Sequence, residues 1–129
     1  MNGFNELNKE AYCSFEVAKL LKEKGFNGPC FCYYKDKVLM FNPSLKGRNS
    51  YQTDTYSTPT HQMAMAWLRE VHHIFIEIGT SVDLNGNYHF GYTILDNKCK
   101  YLTRGYKDFN FNYEDAVEAA LKYCLENLI

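Results

Sequence analysis

Two cysteines one residue apart, Cys30 and Cys32, would lie on the same face of a strand and could offer two thiolates to a metal. A structural zinc site takes four ligands, usually as two close pairs. The second pair would have to come from Cys99, His89 or His72-His73, and none of these stands at a matching spacing. The thiols therefore read as small hydrophobes, and neither a metal nor a cofactor is expected. A cysteine or serine nucleophile would need a neighbouring base and an oxyanion hole. His61, His72, His73 and His89 could be bases, but no nucleophile elbow surrounds any serine or cysteine. His72 and His73 fall where a helix gives way to a strand, and a histidine there suits the helix C-terminus. Gly47 and Gly86 stand alone, so no glycine-rich loop cradles a phosphate. No catalytic residues, and no enzymatic activity, are expected.

Binding a small anion with an aromatic part asks for less. Residues 42 to 57 are polar, rich in turn formers and too long for a simple connection. They carry Lys46, Arg48, Tyr51 and Tyr56. A helix follows directly, with Thr58 as its expected cap and Pro59 at its first position. The N–H groups near Thr58 and Thr60, with His61 beside them, would make an anion-ready end. Arginine and lysine pair with phosphate, and tyrosine faces stack on bases. Lys46, Arg48, Tyr51, Tyr56, Thr60 and His61 are thus the expected binding residues, with a small nucleotide-like ligand as the occupant. A neutral protein partner would use the tyrosines without the anion site.

The hydrophobic pattern supplies the elements that hold these residues. Ser14 can cap a helix from Phe15, with Val17, Ala18, Leu20 and Leu21 inward and Gly25 ending it. Phe31 to Tyr34 and Val38 to Phe41 flank Lys35-Asp36-Lys37, a hairpin pattern. In the second helix Met63, Ala64, Trp67, Leu68 and Val71 recur at helical spacing, while Arg69 and Glu70 point away. Ile74, Ile76 and Ile78 alternate with Phe75 and Glu77, Asn85-Gly86 marks a turn, and Tyr88 to Ile94 alternates again. Cys99 to Thr103 reads as a further strand, and Lys107 to Asn112 as a loop. Asn112 caps a last helix with Ala116, Val117, Ala120, Leu121, Cys124 and Leu128 inward. The fold class is α+β, an antiparallel sheet covered by helices in the order α-β-β-loop-α-β-β-β-α. Its two halves share a helix-then-hairpin plan. One domain over 1–129 is expected, with residues 1–12 loosely held.

Composition narrows the function. Hydrophobic residues make up 46% of the 129, a globular share. The net charge of -1 gives no basic excess to draw the chain to a phosphate backbone. Five cysteines show no disulfide-framework spacing, no basic-then-apolar leader opens the chain, and no apolar stretch approaches membrane-spanning length. These features read as a cytoplasmic protein with reduced thiols and no membrane partner.

Three segments carry a resemblance. They are Glu16 to Phe26 (EVAKLLKEKGF), Pro59 to Glu70 (PTHQMAMAWLRE), and Tyr113 to Leu125 (YEDAVEAALKYCL) with Asn127 to Ile129, about a third of the chain. In order and spacing they resemble a group of small uncharacterised proteins of gut Bacteroides genomes, their prophages and mobile elements. The resemblance implies a soluble intracellular accessory protein carried by phage, and it brings no catalytic motif. Helix, three strands, helix from Thr58 onward is also the order of a double-stranded-RNA-binding domain, which grips phosphates with basic residues at the start of its last helix. Here that start is Tyr113-Glu114-Asp115, the wrong sign for nucleic acid. The expected function is therefore non-enzymatic: a phage or mobile-element protein that binds and sequesters a nucleotide-like ligand, with an anti-defence role. The alternatives are an interaction module that inhibits a host protein, and an RNA binder. A homo-oligomer is compatible with each.

Overall fold

The computed structural model describes residues 11–41, 49, 53–103 and 107–129, without the side chains of 107–111. The element order is α1 (Phe15–Glu23), β1 (Cys32–Lys35), β2 (Val38–Phe41), β3 (Thr55–Thr58), α2 (His61–His72), β4 (Ile74–Val82), β5 (Tyr88–Asp96), β6 (Lys107–Phe111) and α3 (Tyr113–Asn127). This is the expected mixed α+β fold with antiparallel pairing throughout, divided into two three-stranded sheets.

The first sheet has the order β2-β1-β3. Lys35 pairs with Val38 across a two-residue turn, and Asp36 and Lys37 both take positive φ, 50° and 63°. That left-handed pair matches the twist of a tight hairpin. The third strand, β3, occupies part of the stretch read from sequence as loop. Its Thr55, Ser57 and Thr58 are buried, and its chain lies under α1. Phe15 of α1 sets its ring edge-on to Tyr34 of β1 (5.7 Å) and to Tyr56 of β3 (5.4 Å), tying helix to sheet. The Ser14 hydroxyl accepts the Val17 N–H (3.2 Å), as the sequence predicts for an N-cap, and Gly25 takes φ +95° just past the helix.

The second sheet has the order β4-β5-β6. β4 and β5 form a nine-residue hairpin in which Ile74 pairs with Asp96 and Val82 with Tyr88. Its outer strand β6 is Lys107–Phe111, not Cys99 to Thr103. The latter segment instead folds back on the end of β5, where Leu102 N–H donates to Ile94 O (2.7 Å) and Ile94 N–H donates to Thr103 Oγ1 (3.0 Å). The two halves therefore differ in sheet order: the first strand is central in one and the middle strand in the other.

The β4–β5 turn is held by Asp83, whose carboxylate accepts from the Asn85 and Asn87 N–H groups (2.8 and 2.9 Å) and meets His89 Nε2 at 3.0 Å. The His89 contact and these N–H donors hold the Asp83 carboxyl at about 2. The folded value lies below the usual carboxylate value of about 3.9. The contribution of Asp83 to the hairpin is therefore complete above about 3.9 and lost as pH falls through about 2. An NMR titration of the Asp83 carboxyl carbon is expected to show a midpoint near 2; an ordinary midpoint would contradict the turn geometry.

The helices share one core. α3 packs on β5 and β4, and also against α1 and α2. Its Ala116, Val117, Ala120, Leu121, Cys124 and Leu125 are buried beside Leu21 and Leu68. Leu128 is partly buried. α2 starts later than the sequence suggests: Thr58 ends β3, and Thr60 is the cap. The buried stripe of α2 is His61, Ala64 and Leu68, while Met63 and Val71 are exposed. His61 is fastened to α3, and that contact sets which side of α2 faces inward. Trp67 is partly buried, edge-on to Phe26 (5.6 Å) and to the His72 ring (4.7 Å). Its fluorescence maximum is expected at shorter wavelength than that of a fully hydrated indole; a hydrated maximum would contradict this packing. His73 closes α2 in the left-handed conformation, φ 57°, its N–H donating to Leu68 O.

Candidate functional site

A cleft of about 270 Å³ lies between α2, β4 and the start of α3. One face of α2 supplies Gln62, Met65 and Arg69 at three- and four-residue spacing. β4 supplies Ile74, Phe75, Ile76 and Ile78 as its floor, and Tyr113, the first residue of α3, stands at the edge. The Phe75 and Tyr113 rings are 36% and 40% exposed, and Tyr113 is braced edge-on by Phe90 (5.7 Å, 85°). Arg69 meets Glu70 only at 3.4 Å on an exposed surface, a weak competitor for the guanidinium. The cleft therefore offers a cation, an amide and one aromatic ring, that of Tyr113, on regular elements rather than loops, because Phe75 alternates with Ile74, Ile76 and Ile78 and turns its ring to the other face of β4. Glu114 and Asp115, in the first turn of α3, place acids near its far edge. A second depression of about 170 Å³ is lined by Phe75, Glu77, Leu95, Asp96, Asn97 and Cys99, with two carboxylates and no cation, and does not suit an anion.

Of the residues expected to bind ligand, Tyr56, Thr60 and His61 do not line this cleft. Tyr56 packs against Phe15, with the Lys22 ammonium 4.9 Å above its ring. Thr60 and His61 are buried: the Thr60 hydroxyl accepts the Met63 N–H (3.2 Å), and the His61 N–H donates to Ala11 O (2.9 Å). The start of α2 is thus closed by the segment before α1, which also bridges Tyr12 to Thr60. Lys46, Arg48 and Tyr51 lie outside the described residues, as do residues 1–10 of the segment expected to be loosely held.

Sequence reading missed a polar junction beneath the three helices. His61 Nε2 and Glu118 Oε2 are 2.7 Å apart, and Ser14 N–H donates to the same Glu118 oxygen (3.1 Å). Cys13 lies beside them, completely buried, with its N–H donated to Pro59 O (2.9 Å). Its carbonyl accepts from Thr58 Oγ1 (2.7 Å) and Tyr34 OH (3.0 Å). Burial pushes the Cys13 thiol well up, and Glu118 and Cys30 push it further. Burial likewise raises the Glu118 carboxyl, but hydrogen bonds from His61 and Ser14 outweigh it and hold that group below its usual value. Cys30 and Cys124 are raised by burial to about 12. In the free protein Cys13, Cys30 and Cys124 thus sit as protonated thiols. His61 and Glu118 are 57 residues apart in the chain, so no spacing in the sequence could have joined them.

The third feature is the β2 edge. Val38, Leu39, Met40 and Phe41 are all exposed, by 57, 48, 41 and 66%. A short apolar edge strand is a template for pairing with another chain.

The fold and the cleft define a mixed α+β protein with a ligand-sized depression between its second helix and second sheet. Comparison with protein-family models, with curated proteins and with solved structures finds no match. No helix among the described residues is long and apolar enough to cross a membrane.

Proposed function

We propose that the protein is a non-enzymatic binding protein of a phage or mobile element that sequesters a small nucleotide-like ligand in the α2–β4 cleft. The observation that carries this reading is the convergence of Arg69, Gln62 and Tyr113 on one cleft of about 270 Å³. At about 270 Å³ the cleft falls just below the roughly 300 to 1,000 Å³ of small-molecule sites, so its ligand is no larger than one base with its phosphate and is not a dinucleotide. Arg69 pairs with phosphate, Tyr113 stacks on the base, and the Gln62 amide reads its edge. The resemblance to phage-borne proteins supports the context, an anti-defence role in the host cytoplasm.

Calorimetry with a panel of linear and cyclic mononucleotides tests this. One member should bind tighter than about 100 µM, roughly -5.5 kcal/mol. Arg69→Ala should weaken it at least about tenfold, the loss of one charge-assisted contact. A panel with no binder rules the reading out.

The exposed β2 strand favours a second reading, an interaction module that adds its edge to a sheet of a host protein. α2, β4 to β6 and α3 do reproduce the helix, three-strand, helix order of an RNA-binding domain. The exposed Glu114 and Asp115 at the start of α3 oppose phosphate, so duplex RNA is not the ligand chosen.

A further inference from the structure

Cys13, His61 and Glu118 each bring one donor atom to a common point, all within 4.8 Å of one another. Among the described residues no other group of three such side chains converges in this way. We propose that these three residues form a binding site for one divalent transition-metal ion of the zinc class, with water at an open fourth position.

The donor chemistry selects the metal. A thiolate, an imidazole nitrogen and a carboxylate oxygen are the ligand types of zinc, and the thiolate excludes magnesium and calcium. One thiolate and one carboxylate also balance the two charges of the ion. On binding, the Cys13 thiol gives its proton to solvent, and His61 loses the Nε2 proton it shares with Glu118, by shifting to the Nδ1–H tautomer or, if the ring is charged, to solvent, so that Nε2 bonds the metal. Bonds of 2.0 to 2.3 Å in a tetrahedron put donors roughly 3.3 to 3.8 Å apart. The His61–Glu118 pair opens from 2.7 Å, and the widest donor pair closes by about 1 Å.

The surroundings hold the donors in place. Ser14 N–H orients the Glu118 carboxylate, and the backbone of Cys13 is pinned on both sides by Pro59, Thr58 and Tyr34. His61 is fixed by its N–H bond to Ala11 at the first turn of α2. The Glu118 side chain is 24% exposed and the His61 side chain 6%, so the carboxylate forms the mouth through which an ion enters. The bound ion would join the segment before α1 to α2 and α3, raising the stability of the whole fold.

Cobalt(II) is the probe, because a tetrahedral cobalt–thiolate site is coloured and shows a sulfur-to-metal charge-transfer band. Titration of the full chain with cobalt chloride should give that band with an end point at one equivalent, and zinc should bleach it. Cys13→Ser should abolish the band, and Cys99→Ser, at an exposed cysteine, should leave it unchanged. X-ray absorption of the zinc-loaded wild-type chain keeps the test independent of variant folding. It should show one sulfur and otherwise light donors around zinc. No band in the wild-type chain, a band that survives Cys13→Ser, or a zinc shell with no sulfur or with two would each overturn the proposal.

Discussion

Replacing Leu121 with alanine is expected to remove about 3–5 kcal/mol of folding stability, the upper part of the range for a leucine deleted from a sealed core. Leu121 is completely shielded from solvent and belongs to the one cluster that α1, α2, α3, β4 and β5 share. α3 meets both helices and all three strands of the second sheet, so no single neighbour can move in to fill the space. A small domain has only about 5–15 kcal/mol in total. The variant should therefore unfold at a much lower urea concentration with an unchanged slope. A loss below about 1 kcal/mol would mean that the site collapses freely or lies at the surface, and the placement of α3 would be wrong.

Glu118→Ala is expected to cost about 3 kcal/mol in metal-free buffer, since two sheltered donors lose their acceptor at roughly 1–3 kcal/mol each and Glu118 keeps some access to water. Its carboxylate serves both His61 Nε2 and the Ser14 N–H, so one truncation strands two donors beneath the helices. Glu118→Gln should cost clearly less, because an amide oxygen still accepts one of them. The two variants compared by urea unfolding separate the hydrogen bonds from the bulk of the side chain. Equal losses in both would point to the charge alone, and negligible losses in both would remove Glu118 from the junction.

How much of this was legible in the sequence follows from where each side chain's signal originates. α1 and α3 were readable because Ser14 and Asn112 are local caps and their apolar stripes repeat at helical spacing. The β1–β2 and β4–β5 hairpins were readable from their turns. β3 was not, because Thr55, Tyr56 and Ser57 look like a polar loop, and Thr58 like a helix cap, until β1 and α1 cover them. The cap at Thr60 was misplaced to Thr58 because both are threonines beside Pro59, and only the pairing of Thr58 with Cys32 decides between them. In the cleft, Arg69 could be recognised as outward-facing, but its meeting with Tyr113 depends on how α2 and α3 lie on β4. Periodicity does not encode that placement. Glu118 carries no local signal of its role, because its partners come from two distant segments.

The cleft itself can be watched directly by NMR. Adenosine monophosphate, or the tightest member of the calorimetric panel, would be titrated into isotope-labelled protein. The Arg69 Nε–H, the Gln62 side-chain amide and the backbone amides of Phe75 and Tyr113 should shift together and saturate with one dissociation constant. Shifts confined to Val38–Phe41 of the β2 edge, or none at all, would contradict a nucleotide site between α2 and β4.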